Sequence, residues 1–162
     1  MREMHLSRGK ISLVDDEDYD HINQWKWSAY LDGNTWYASR MVSKNPNITV
    51  KLHRIIMNAP ENLLVDHIDG NGLHNYKENL RICDFVGNSR NRSRNLSNTS
   101  GYKGVYWNSQ KKKFRARISF NGKIISIGYF TDAEEAARAW DKYAEIYHGE
   151  YARLNFPRYE NV

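Results

Sequence analysis

An acid beside an imidazole, Asp66-His67, followed downstream by Asn79 and Asn88, is the part of this sequence whose residue types could carry a reaction. Hydrolysing a phosphodiester at neutral pH takes a water stripped of its proton. It also takes a cation that neutralises charge on the phosphate and on the departing 3′ oxygen. Imidazole titrates near neutrality, so His67 suits the first task as general base. Carboxylate and amide oxygens are hard donors that Mg²⁺ accepts while keeping several waters, so Asp66 and Asn88 suit the second. Asn79 can hydrogen-bond across a hairpin and hold the His67 ring in one orientation. Asn91 competes with Asn88 for the ligand role.

The local sequence says how these groups are positioned. Leu63-Leu64-Val65 is an apolar run that suits a buried strand and delivers Asp66 and His67 at its end. Asp69-Gly70-Asn71-Gly72 must turn, and Leu80–Cys83 alternates as a returning strand. Asp84 can cap a short helix that carries Asn88 on the same face. The unit is therefore strand, loop, strand, helix, over about residues 62–92. A DH pair alone is more often structural, and the nuclease expectation rests on the whole spaced set with its glycine-rich loop. His74, in the loop, reads as an exposed polar residue. His53, in VKLHRIIM, alternates into a strand and either lines the site or closes a hydrogen bond in the core.

Through DHIDGN, NLR and the following Asn, this stretch resembles the HNH endonucleases, in the branch that includes phage and intron-encoded homing enzymes. The resemblance implies a ββα-metal core with Asp66 and Asn88 holding one divalent metal ion, Mg²⁺ or alternatively Mn²⁺. It further implies His67 as general base and Asn79 as the supporting middle residue. It extends to LVDDEDY and LHRIIM upstream. No CxxC pair exists, so structural zinc is not implied, and Cys83 reads as a small core hydrophobe.

Charge points to a polyanionic partner. Residues 1–85 carry 10 Lys+Arg against 12 Asp+Glu, net −2, whereas residues 86–162 carry 14 against 7, net +7. Within residues 86–123 there are ten basic residues and no acid. A solvated face mixes signs, so a single-sign run of this length argues for phosphate neutralisation. No basic amphipathic helix suited to lipid is evident, no apolar run reaches the roughly 20 residues of a membrane span, and no secretory signal opens the chain. One cysteine fits a reducing cytoplasm, bacterial or of a phage-infected host.

Residues 1–62 read as short strands and turns that scaffold the nuclease unit, because a ββα unit alone is too small to bury a core. ITVKLHRIIM is read there as a strand, Trp25, Trp27 and Tyr30 as an aromatic cluster, and DDEDYD as a solvated turn or helix start. In the polar run after Val86, Arg90, Arg92 and Arg94 are free to lie along a phosphate backbone or in a minor groove. The expected domains are 1–95, nuclease, and 96–162, DNA-binding.

The second unit has clear grammar. Tyr102–Trp107, Phe114–Phe120 and Lys123–Phe130 alternate as three strands, the last two joined by Asn121-Gly122, a strong hairpin signal. Thr131 and Glu134 suggest a capping box, followed by a helix to about Tyr147 with the stripe Ala133, Ala136, Ala137, Trp140, Ala144 and Tyr147, and Gly149 to stop it. Arg115 and Arg117 project from one sheet face, with Lys103, Lys111, Lys113 and Lys123 nearby and Trp107 beside them. Through YKGVYW, KFRARI, IGYFTDAEEAARAWDKYA and LNFP this unit resembles the AP2/ERF DNA-binding domains. It departs from plant members at base-reading positions, with Tyr106, Asn108, Ile124 and Ser126 where they carry Arg or Trp. The expected whole is an α+β protein: β-rich scaffold, ββα-metal module, then a three-stranded antiparallel sheet plus helix. Its expected function is metal-dependent cleavage of double-stranded DNA, nicking as a monomer and cutting both strands as a homodimer. The alternative is a non-catalytic DNA-binding regulator with a degenerate nuclease module.

Overall fold

The computed structural model describes residues 1–95 and 97–157. The fold is α+β, and the chain divides into two units, Met1–Asn88 and Ser89–Val162. The first unit opens with β1 (Arg2–His5) and β2 (Ile11–Val14), an antiparallel pair, and α1 (Asp16–Ile22). Asp16, Glu17 and Asp18 fill the first turn of α1, where the helix dipole favours negative charge, so the acidic stretch is a helix start. The hairpin β3 (Ser28–Asp32), β4 (Thr35–Lys44) continues into β5 (Asn47–Lys51).

At Lys51 the expected strand over ITVKLHRIIM ends. Leu52–Ile56 is helix α2, and the physical reason is visible in the spacing: Leu52, Ile55 and Ile56 recur at helical intervals and pack on the core. That core holds Met4, Leu6, Val14, Ile22, Trp27, Ala29, Ala38 and Leu52. The indole of Trp27 donates to the Ile22 carbonyl (2.9 Å), so its one polar atom is satisfied inside, and the Arg40 guanidinium lies over Trp25 (4.3 Å). Of the expected aromatic trio, Trp25 and Trp27 are in or against this core, while Tyr30 meets Tyr37 of the next strand with the rings tilted (centroids 5.8 Å apart).

β6 (Leu64–His67) pairs antiparallel with β8 (Leu80–Cys83), with Asp66 opposite Arg81 and His67 opposite Leu80. Between them lies β7 (His74–Asn75), which pairs parallel with β2 and so ties the loop to the N-terminal sheet. After β8, α3 (Phe85–Arg90) begins on the Asp84 side chain, which accepts from the Gly87 backbone N–H (2.7 Å).

In the second unit, β9 (Val105–Asn108), β10 (Lys113–Phe120) and β11 (Lys123–Phe130) form an antiparallel sheet in the order β11-β10-β9, covered on one face by α4 (Ala133–His148). Ala136, Ala137 and Ala144 are fully buried, and their small size lets the helix lie close to Val105, Ala116 and Ile118. The α4 cap differs from the expected Thr131: Asp132 occupies it, accepting from the Glu135 N–H (2.8 Å), because its carboxylate sits one residue nearer the first turn. Glu134 instead pairs with Arg138 one turn on. Asn155 of the closing LNFP segment takes the Lys103 N–H (2.7 Å) on its side-chain oxygen and donates to Asp141 (2.9 Å), latching the strand entry to α4. Among the described residues no helix is long and apolar enough to cross a membrane.

Candidate active site and nucleic-acid interface

The end of β6 buries both Asp66 and His67. His67 is packed by rings, with His53 5.0 Å away edge-on and Tyr37 5.9 Å away. Removal from water disfavours the charged imidazolium, so burial pushes the His67 pKa below its ordinary value. His53 is pushed further, to about 3, by burial and then by His67 beside it. Both rings are therefore neutral at pH 7. His53 lines the site from α2 and not from a strand, and among the described residues its Nδ1 has no hydrogen-bond partner.

His67 Nε2 meets the Oδ1 of Asn75 at 3.2 Å, and Asn75 is wholly buried. Sequence reasoning missed this residue. It assigned the ring-holding task to Asn79, whose carboxamide is engaged elsewhere: Oδ1 accepts from the Asp69 N–H (3.1 Å), and Nδ2 donates to Asp69 Oδ1 (3.0 Å) and to the His74 carbonyl (2.9 Å). Asn79 thus pins the loop that follows His67, and its effect on the ring is through that loop. His74 is part of the same brace, its Nδ1 2.6 Å from Asp69 Oδ2, and is not an independent exposed residue. Gly72 sets the close approach of this loop to β4: a Cβ there would stand 2.5 Å from the Trp36 carbonyl oxygen and from the Tyr37 ring.

The Asp66 carboxylate is gripped by Arg81 from the facing strand, with Nε at 2.9 Å and Nη2 at 2.7 Å from Oδ2. A buried carboxylate needs such a partner. Asn88, half-buried in the second turn of α3, is the last residue of the same unit, whereas Asn91 is buried and falls in the second unit. Among the described residues no group of three or more His, Cys, Asp or Glu could hold a metal. A donor set of Asp66 and Asn88 consists of hard oxygens and leaves most of the coordination shell to water. That fits Mg²⁺ or Mn²⁺ and does not fit a closed structural zinc cage.

In the second unit, the register puts Arg115 opposite Tyr106 and Tyr129, and Arg117 opposite Ser126, on the face of the sheet away from α4. Lys113 shares this face. The Arg117 guanidinium lies 4.5 Å from the Tyr106 ring centre and the Lys111 ammonium 4.0 Å from that of Tyr129. Among the described residues neither Arg115 nor Arg117 is in an ion pair, and the buried Arg115 Nε has no hydrogen-bond partner. A row of cations on aromatic rings, without acids, is suited to nucleic acid.

Three expected contacts stand elsewhere. Trp107 is opposite Phe114, whose ring it meets at 4.9 Å, so it belongs to the helix-side face at the edge of the sheet. Lys123 is exposed but opposite Phe120, on that same side. Lys103 turns inward: its Nζ donates to the Arg90 carbonyl (2.6 Å) beneath Trp140. Of the three arginines after α3, Arg92 and Arg94 are exposed, and Arg90 lies over the Phe120 ring (5.4 Å). Burial, then the neighbouring Arg153, push the Lys103 pKa from 10.5 to about 8. Between these values the unfolded chain binds more protons, so stability rises with pH across that window. Lys103→Met is expected to flatten the rise in denaturant unfolding compared at pH 8 and pH 10. An undiminished rise in the variant would contradict the burial of this ammonium.

Comparison with known proteins adds to this geometry. No family model matches the chain, and no solved structure matches it. The chain is 36% identical over 63 residues to the Dehydration-responsive element-binding protein 2E of Arabidopsis thaliana, covering 35% of this chain and 26% of that protein. It is 34% identical over 95 residues to Protein 3.8 of Escherichia phage T7, covering 59% of this chain and 78% of the phage protein. It is 30% identical over 158 residues to an uncharacterized HNH endonuclease of Acanthamoeba polyphaga mimivirus, covering 93% of this chain and 78% of the viral protein. A relationship that runs through nearly the whole chain and most of the viral protein places this chain in the HNH endonuclease family.

Proposed function

We propose that the chain is a metal-dependent DNA endonuclease that hydrolyses one phosphodiester bond per site and is held on duplex DNA by the sheet of its second unit, through the face away from α4. The observation that carries the proposal is the buried, neutral His67 beside Asp66 at the end of β6. A neutral imidazole can accept a proton, and acceptance from water makes the nucleophile. Asp66 and Asn88 would hold one divalent ion, which when bound supplies positive charge at the phosphate and at the departing oxygen. Asn79 keeps the Asp69–His74 loop in place behind the base. One such site attacks one strand, so a monomer nicks, and cutting both strands takes two copies. The products are expected to be a 5′-phosphate and a 3′-hydroxyl, checked by end-labelling a cleaved duplex.

The sheet supplies the grip. The plant relative is by name an element-binding protein, and the Arg115 and Arg117 guanidinia are suited to phosphates or to guanine edges in a major groove. Replacing both by alanine is expected to weaken duplex binding and to make the fall of log affinity with log salt shallower by about 0.9 for each phosphate no longer neutralised. An unchanged salt dependence would place the DNA on another surface.

A second reading, a DNA-binding regulator that does not cut, draws on the Arg81 fork that already occupies Asp66. It shares the salt-dependent binding and differs in yielding no cleaved ends with Mg²⁺ or Mn²⁺ on any duplex.

A further inference from the structure

Resting on the assignment of His67 as the base, we propose that Ser12 and Asn75 form a buried positioning chain that fixes the His67 tautomer, with the proton on Nε2 and the lone pair on Nδ1. Proton directions along the chain follow from the partners. The Ser12 hydroxyl donates to the Leu73 carbonyl at 2.9 Å, so toward Asn75 it can only accept. The group facing it at 2.8 Å is therefore the amide nitrogen of Asn75, and the same nitrogen donates to the Gly72 carbonyl at 3.3 Å. Both amide hydrogens are then committed, and the amide oxygen is left facing His67 Nε2 at 3.2 Å. An oxygen there requires an N–H, so the neutral ring carries its hydrogen on Nε2. The nitrogen that receives the proton of water is Nδ1.

The chain is built by the scaffold. Ser12 and Asn75 are both wholly inaccessible to solvent. β2, which carries Ser12, pairs parallel with β7, which carries Asn75, and Leu13 donates its N–H to the Leu73 carbonyl (2.9 Å) alongside. Water cannot replace any member without opening the sheet, so the orientation is set before substrate arrives. The N-terminal sheet thus has a catalytic consequence besides burying a core. Asn75 and Ser12 act through His67 and touch no substrate.

Ring nitrogen chemical shifts, read by long-range ¹H–¹⁵N correlation on the full chain at a pH where His67 is neutral, report the tautomer directly. Expected are a single Nε2–H form in the wild-type protein and a mixture of both forms in Asn75→Ala. Ser12→Ala keeps the amide but lets it turn, so it should also yield a mixture, and it carries the test if Asn75→Ala does not fold. Nicking by either variant is expected to slow by about 10- to 100-fold in kcat with little change in KM. An Nδ1–H form in the wild type, or a single Nε2–H form surviving in the folded variants, overturns the proposal. The tautomer readout needs no turnover: a chain that never cuts DNA but loses its single tautomer in both variants upholds the positioning chain while removing the nuclease assignment.

Discussion

Replacing His67 with alanine is expected to lower the single-turnover rate of DNA nicking by about 10² to 10⁴, the usual contribution of a positioned general base, while leaving duplex affinity near that of the wild type. The separation of effects follows from where the groups lie. His67 is enclosed by Tyr37, His53 and Asn75 within the first unit, whereas the cations Arg115 and Arg117 are on the second. Removing a buried ring also leaves a cavity, so the variant should melt somewhat lower. His67→Gln keeps most of the volume and a hydrogen-bonding group but cannot act as a base at neutral pH. Both variants should therefore be equally inactive. Nicking retained by His67→Gln within a few-fold of wild type would remove His67 from the chemistry.

The largest effect on stability is expected at Gly104. Its φ is +77°, a conformation that residues with a side chain adopt at a cost of about 1 to 2 kcal/mol. A Cβ placed there would stand 1.9 Å from Trp140 Nε1. Trp140 is almost wholly buried at the centre of the second core, and its Nε1 donates to the Arg117 carbonyl at 3.0 Å. The indole has to move, which gives up that hydrogen bond and overpacks Ala136 and Val105, at a further cost of about 1 to 3 kcal/mol. A unit of this size loses about 4 to 8 °C in Tm per kcal/mol, so Gly104→Ala should abolish the cooperative melting of the second unit near physiological temperature and with it salt-dependent DNA binding. Gly101→Ala is the control. Its φ is also positive (+82°), but a Cβ there meets nothing within 4 Å, so only the backbone part should be lost. Equal melting of the two variants would mean that the clash with Trp140 is not felt.

Much of this arrangement is legible in the sequence alone, for reasons that can be assigned to particular residues. The β6 and β8 strands follow from the apolar run at 63–65 and from the alternation at 80–83. In the second unit the last two strands and the helix are legible to within a residue or two, because Asn121-Gly122 leaves the chain one way to turn and the alanine stripe of α4 leaves the helix one face to bury, whereas the first strand begins at Val105 and not at the expected Tyr102. Where sequence and structure part, a competing pattern is short. Leu52-His53-Arg54-Ile55-Ile56 satisfies a strand by composition and a helix by spacing, and burial of Leu52 in the first core, with Ile55 and Ile56 packed against it, decides for the helix.

The site itself is half legible. Residue type singles out Asp66 and His67 as candidates, but the partner of His67 could not be read, since β7 is a two-residue strand with no periodicity and its pairing with β2 joins residues about sixty positions apart. Asn75 and Asn79 are chemically identical candidates for one task, and only the fold separates the one that faces the ring from the one that pins the loop. On the second unit, side-chain parity decides membership of the basic face. Trp107 and Lys123 fall off it because their cross-strand partners, Phe114 and Phe120, face α4. Lys103 counts as a basic residue in the sequence, yet its charge is turned into the protein.

The most direct measurement is the conversion of supercoiled plasmid to open circle by the purified chain, with Mg²⁺ or Mn²⁺ and then with the ion chelated. Expected are open circles that accumulate with time only when the ion is present, and only from protein that retains both Asp66 and His67. Plasmid that stays supercoiled under all these conditions while remaining bound, or nicking that persists in the Asp66→Ala and His67→Ala variants, would contradict the assignment of this site as the one that breaks the phosphodiester bond.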